Sequence, residues 1–258
     1  GREGGGGGGW GREWWWREAG GHGEAAQGAR VGARVFALSP ASIDLLEGLG
    51  LWNDVATRAQ PYAGMTVWDA VSGSDIRFRA AEFGLRSLGA IVENSALVSA
   101  AQAALANIAF GHAVTAVSEQ TDAVAVTTDS GAQWLAKTLI LADGAGSPSR
   151  QALGIPVAGR DYGGQAIVCH LACEHGHDVT AWQRFLPTGP VALLPLSDGR
   201  VSLVWSTEAA QAQRLLAMDD EPFAHAVTEA TGGRLGRLYA PTRRFAFALR
   251  RQTAARFT

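Results

Sequence analysis

The chain has 258 residues, 47% of them hydrophobic, and a formal net charge of −2, a balance that fits one large or two modest folded domains with a real core. Without a basic stripe to meet phosphate backbones, a nucleic-acid partner is excluded from the expected functions. No apolar run approaches the roughly 20 residues that span a bilayer, and nothing at the N-terminus reads as a signal peptide, so a soluble cytoplasmic protein is expected.

Residues 1–30 are low-complexity sequence, with a run of six glycines and four of the nine tryptophans within the first sixteen positions. Gly4, Gly6 and Gly9 satisfy G-x-G-x-x-G, but that loop should follow an apolar strand and open a helix, and neither flank is present. The expectation for 1–30 is a disordered or artefactual tail with no packed element.

From Val31 the composition becomes that of a globular protein. "RVFALSPASIDLLEGLGLW" predicts a short strand, then a helix capped by Ser39, with Pro40 at its first position and an end near Leu49 or Gly50. "GMTVWDA" and "DIRFRA" alternate as antiparallel strands do. "NSALVSAAQAALANI" predicts a helix on which Leu97, Ala101, Leu105 and Ile108 share a face. Three strand-like runs follow, "AVTAVSE", "AVAVTT" and "QWLAKTLILA", separated by the turn signals "QTD" and "DSG". Beyond Asp161 the chain is mostly strand-like, with a hairpin around Ser197-Asp198-Gly199, a helical stretch over 208–231 and a final strand in "RRFAFALRR".

The stretch "LILADGAGSPSRQALGI" holds the main candidate site. "LILA", apolar on both faces, suits a buried strand of a parallel sheet. Gly144 and Gly146 allow a sharp turn and close approach to a ligand. Ser147, Pro148 and Gly154 predict a short helix directly afterwards. Asp143 is thus expected where a strand ends and a helix begins, the edge at which open α/β sheets bind ligands. A carboxylate there can accept hydrogen bonds from sugar or polyol hydroxyls. The alternative is an ordinary Asp-Gly hairpin turn, which requires a second strand in place of "SPSRQALG".

These segments together resemble the flavoprotein aromatic hydroxylases with the para-hydroxybenzoate hydroxylase fold. "ADGAGSPSRQALGI" is similar to the family's second nucleotide-binding motif, which implies that Asp143 and Gly144 contact FAD. In that family this motif has also been linked with NAD(P)H. "RVFALSPASIDLLEGLGLW" resembles the segment with a flavin-contacting arginine, here Arg34. "FGHAVTAVSE" resembles the strand whose valine backbone touches adenine, here Val114. "WQRFLPTGPVALLPLSDGRVSLVW" and "GAIVENSALVSAAQAAL" resemble the ubiquinone-biosynthesis branch. The likeness runs over about residues 31–258.

The resemblance implies an α/β protein in which an incomplete Rossmann-like FAD-binding domain (31–60 and 93–157) interleaves with an antiparallel-sheet substrate domain (61–92 and 158–250). Residues 251–258 would begin the return to the first domain. It implies an FAD-dependent monooxygenase, with NAD(P)H and oxygen, hydroxylating a small aromatic substrate such as a polyprenylated phenolic ubiquinone precursor. Peripheral association with the inner membrane or with other enzymes goes with that reading. No side chain is assigned as catalytic acid or base. Rival readings are a non-catalytic remnant that binds no flavin, and a hydroxylase of another aromatic compound. The family's G-x-G-x-x-G strand and its later Gly-Asp motif have no counterpart in the sequence, so truncation at both ends and poor FAD retention are expected.

Two further features have a plainer reading. "CHLACEHGHD" gathers Cys169, His170, Cys173, His175 and His177, but on a strand the two cysteines lie about 13 Å apart at ~3.3 Å per residue. Both thiolates cannot then stand ~2.3 Å from one ion, so no metal site is expected. Glu93 and Asn94 are read as a helix start, with cofactor contact as the alternative.

Overall fold

The computed structural model describes residues 16–18 and 34–257. Most of the low-complexity stretch lies outside these residues. Its described part, β1 (Trp16–Glu18), is a strand where none was expected, and it pairs in parallel with Ile108–Phe110.

In chain order there follow β2 (Val35–Leu38), α1 (Pro40–Gly48), α2 (Trp52–Ala56), β3 (Gln60–Tyr62), β4 (Gly64–Asp69) and β5 (Asp75–Arg79). After a 3-10 turn come β6 (Gly89–Glu93), α3 (Asn94–Ala104), β7 (Ile108–Phe110), β8 (Val114–Glu119), β9 (Val124–Thr128), β10 (Gln133–Ala136) and α4 (Pro148–Ala152). The remainder is β11 (Val157–Cys173), β12 (Thr180–Leu186), β13 (Gly189–Pro195), β14 (Val201–Glu208), α5 (Ala209–Ala217), α6 (Asp220–Ala230), β15 (Leu238–Tyr239) and β16 (Phe245–Ala254).

The chain divides into two compact units. One holds Gln102–Val157 with the two chain ends, and its framework is the antiparallel meander β8–β9–β10. The helix α4 packs on β8.

The other unit holds Glu24–Ala101 and Ala158–Thr253. Its larger sheet has the order β15-β11-β14-β13-β12-β4-β5, with β16 also on β11. Antiparallel hairpins build most of it, while β4 joins β12 in parallel. Along β11, β13 and β14, alternate residues (Ile167, Cys169 and Leu171; Val191 and Leu193; Val201, Leu203 and Trp205) pack against Leu215, Phe223 and Val227 of α5 and α6. This is the period of two of a strand meeting a helical stripe, and each fully buried large side chain contributes roughly 1.5–3 kcal/mol. A smaller sheet, β2-β6-β3, sets Val92 and Ala90 against Val55, Ala96 and Ala100 of the helices.

Local signals place several elements as expected. Ser39 accepts a hydrogen bond from the Ser42 N–H at 3.3 Å, Pro40 opens α1, and Gly50 follows its end at φ +72°. In the β13–β14 hairpin, Asp198 accepts hydrogen bonds from the Arg200 N–H and guanidinium, at 3.1 Å and down to 2.6 Å. Three expectations are corrected. The helix α3 stops at Ala104, so Leu105 and Ile108 lie beyond it, Ile108 in β7. The helical stretch over 208–231 is two helices broken at Met218, whose backbone is extended. Residues 139–142, "LILA", form no strand, and Ile140 is 70% exposed. Strand geometry requires a neighbour to satisfy its N–H and C=O groups, and no described strand pairs with this segment.

Candidate functional site

Asp143 follows residues 139–142, which form no strand, and stands before α4, not before a second strand, so the hairpin alternative does not hold. Its carboxylate accepts hydrogen bonds from the Ser147 hydroxyl and from the Ser149 N–H, the latter at 3.1 Å. Ser147 in turn caps α4 by accepting from the Arg150 N–H at 3.0 Å. Partial desolvation pushes the Asp143 pKa up, but the hydrogen bonds from Ser147 and Ser149 outweigh it and hold the group below the ordinary aspartate range. Asp143 is therefore charged at neutral pH. It remains exposed, and a carboxylate offers about four lone-pair sites, so acceptor capacity is left for a ligand.

Gly144 next to it has φ +86°. A Cβ there would meet no atom within 4 Å, so glycine serves backbone conformation at this point and leaves an open approach. Val114 begins β8 in the same unit. It is half-buried, pairs with Thr128 and is followed by a register irregularity before Ala116. Asp143, Gly144 and Val114 thus share one compact unit, whereas Arg34 belongs to the other. The exposed Arg34 guanidinium lies 5.5 Å from the centre of the Phe247 ring, and its carbonyl accepts from the Asn94 N–H at 3.0 Å.

Glu93 ends β6 and Asn94 begins α3, as the helix-start reading expects. Sequence reasoning missed the partner: Glu93 is buried and pairs with Arg58 at 2.5 Å, with the Ser95 hydroxyl at 3.2 Å. The pairing spans 35 residues, and no local pattern marks it. The cysteines lie on β11, as the strand reading expects. Cys169 is fully buried in the core, where desolvation pushes its thiol pKa up to about 12, and Cys173 is half-buried.

The large sheet has a second face. Cross-strand partners Val168–Val204, Val204–Ala192, Ala192–Gln183, Gln183–Val67 and Val67–Ile76 form one continuous row over six strands. It lies opposite the face covered by α5 and α6. Of its neighbours, Phe78 and Phe185 are 40% and 45% exposed. Apart from Gln183 the row is apolar; Val168 at one end is buried, Val204, Ala192, Gln183 and Val67 are half-buried and Ile76 is exposed, a surface suited to a ring or a hydrocarbon chain.

The residues present fit FAD: a charged carboxylate with free lone pairs beside an accessible glycine backbone suits sugar or ribityl hydroxyls, and an exposed guanidinium suits a flavin or its phosphates.

Comparison with known proteins agrees with the resemblance. The chain is 39% identical over 214 residues to the ubiquinone biosynthesis monooxygenase COQ6, mitochondrial, of Danio rerio, which covers 76% of this chain and 44% of that protein. It is 34% identical to the 3-demethoxyubiquinol 3-hydroxylase of Escherichia coli K12, covering 87% of this chain and 58% of that one. The chain therefore spans about half the length of the curated relatives it matches. Among solved structures, p-nitrophenol 4-monooxygenase PnpA from Pseudomonas putida superposes with a TM-score of 0.68 at 17% identity, over 90% of this chain and 62% of that one. Klebsiella pneumoniae HpxO, complexed with FAD and uric acid, gives 0.62 at 18% identity, over 86% and 59%. These likenesses establish the α/β flavoprotein hydroxylase fold. Residues 24–258 match the family described as "FAD binding domain", and the chain belongs to that family.

Proposed function

We propose that the chain is part of an FAD-dependent monooxygenase that hydroxylates the phenolic ring of a polyprenylated ubiquinone precursor, with NAD(P)H as reductant and oxygen as co-substrate. The observation that carries the reading is the half-buried apolar row on the second face of the large sheet, in a chain of the FAD binding domain family. The names of the relatives, a ubiquinone biosynthesis monooxygenase and a demethoxyubiquinol hydroxylase, support the substrate class.

FAD, once bound and reduced, supplies the oxygen-activating chemistry, and the protein binds, orients and excludes water. Asp143 would accept hydrogen bonds from cofactor hydroxyls, Gly144 and Val114 would offer backbone, and Arg34 would face the flavin end. Residues 31–60 and 93–157 would serve the cofactor, and 61–92 and 158–250 the substrate. The row through Val67, Gln183, Ala192 and Val204 would hold the ring on an apolar surface, with Phe78 and Phe185 extending it along a prenyl tail. Among the described residues no helix is long and apolar enough to cross a membrane. A peripheral place at the cytoplasmic side of the inner membrane is proposed, because a prenylated substrate partitions into lipid.

The test supplies FAD, NAD(P)H and a polyprenylated phenol and follows nicotinamide oxidation together with the mass of the phenol. Phenol-stimulated oxidation and gain of one oxygen atom are expected. Turnover of an unprenylated hydroxybenzoate alone would instead support another aromatic substrate. Absence of any bound flavin would favour a non-catalytic protein.

A further inference from the structure

A cavity of about 510 Å³ opens in the unit that carries the large sheet, at the ends of β4, β5 and β12. Its lining includes Arg77, Arg79, Arg86 and Arg234, against the single acid Asp178. Cross-strand partners Thr66, Trp182 and Arg77, and likewise Gly64, Thr180 and Arg79, put most of it on the helix-covered face. Trp182 pairs with Leu193 of the core on that same face. The cavity is therefore on the opposite face from the row of Val67, Gln183 and Ala192.

The arginines come from one strand, β5, and two loops, and little holds them in place internally. Arg77 is paired with Asp75 at 2.7 Å. Among the described residues, Arg79, Arg86 and Arg234 make no ion pair. Arg234 is set by an aromatic stack: its guanidinium lies 5.1 Å from the centre of the Trp68 ring, which meets Trp182 edge-on at 6.3 Å. A stacked guanidinium keeps its in-plane N–H donors free for an anion. The cavity also has an apolar side in Leu85 and Trp182.

From these residues we infer that the cavity binds a phosphorylated small molecule, its phosphate held by Arg79, Arg86 and Arg234 and its apolar body laid against Trp182 and Leu85. Charge selects the anion. A phosphomonoester carries about −1.5 to −2 at neutral pH, a closer match to clustered arginines than a singly charged carboxylate. Guanidinium forks also bind phosphate through paired hydrogen bonds. Size selects the body, because about 510 Å³ lies within the roughly 300–1,000 Å³ of organic-ligand pockets and far exceeds a bare phosphate. The phosphate can come from a soluble ester or from a lipid headgroup.

Calorimetric titration of the full chain with phenyl phosphate, inorganic phosphate and phosphatidate-containing vesicles distinguishes these sources. Phenyl phosphate is expected to bind more tightly than inorganic phosphate, and Arg79→Gln and Arg234→Gln are each expected to weaken it about ten-fold or more. Binding seen only with phosphatidate vesicles, absent with neutral ones and lost in the same variants, supports the site with a lipid as the source. Arg86→Gln, which removes no internal hydrogen bond, guards against loss of fold and should show the same weakening with an unchanged melting temperature. Equal affinity for inorganic phosphate, affinity unchanged in folded variants, or no binding in any arm would overturn the inference. The readout needs neither FAD nor turnover, so its failure is separable from failure of the proposed hydroxylase activity.

Discussion

The carboxylate of Asp143 accepts the backbone N–H of Ser149, six residues along the chain, at 3.1 Å. The residue proposed to hold cofactor hydroxyls thus also closes the first turn of α4. Its two duties are separable by substitution. Asp143→Ala removes both, and should lower stability by about 1 kcal/mol through loss of the cap. It should also weaken FAD by about 1.5–3 kcal/mol through loss of a charge-assisted hydrogen bond. Asp143→Asn keeps an acceptor for the helix but loses the charge, so melting temperature should largely recover while FAD affinity does not. Titrating FAD into wild type and both variants checks this, and unchanged affinity in a folded alanine variant rejects the cofactor role.

The same carboxylate makes an acid-side prediction. Its pKa is held below the ordinary aspartate value in the folded state, so the unfolded chain takes up the proton first as pH falls. The stabilisation is fully present above the unfolded value of about 3.9 and is lost as pH falls through the lower folded value. Thermal melts from about pH 5 down to about pH 3 should show a steeper loss for wild type than for Asp143→Asn. Parallel curves for the two proteins would count against this role.

Arg58 and Glu93 make a second, structural test. The Glu93 side chain is 7% exposed and that of Arg58 is 42% exposed, so solvent already screens part of the pair. Arg58→Ala leaves a buried carboxylate without its guanidinium and should cost about 1–2 kcal/mol, below the 3–5 of a fully buried pair. Adding Glu93→Gln to Arg58→Ala should restore part of that loss, because the glutamine carries no charge to desolvate. Chemical denaturation of the two variants measures both effects. A double variant no more stable than Arg58→Ala would show that the charge is not the cause.

The cysteines should differ in reactivity. Desolvation raises both thiols, that of Cys169 to about 12, and only Cys173 is partly accessible. A disulfide reagent at neutral pH should label Cys173 slowly and Cys169 only after denaturation, since the thiolate is the nucleophile. Purified protein should carry no stoichiometric zinc, because the strand of β11 separates the two sulfurs. One zinc per chain by elemental analysis, lost in the Cys169→Ser/Cys173→Ser double variant, would overturn this.

Much of the architecture was legible because its signals are local. Ser39 with Pro40, and Ser147 with Pro148, announce helix starts within a single turn, and Asp198-Gly199 announces its hairpin within four residues. The alternation along Ile167, Cys169 and Leu171 similarly marks β11 as a strand against a core. The motif around Asp143 was readable in one contiguous stretch, and the family in the combination of that stretch with those around Arg34, Val114 and the β12–β14 hairpins. What the sequence could not decide depends on partners far along the chain. "LILA" is apolar enough for a central strand, yet a strand exists only where a neighbour completes its hydrogen bonds. Glu93 looks like a helix-start residue until Arg58 is brought to it across 35 positions. The parallel joining of β4 to β12 puts Arg77 and Arg79 beside Trp182, and the turn after α6 adds Arg234. Charge and burial at these positions are set by which segments meet, a property of the packed chain and not of any window within it.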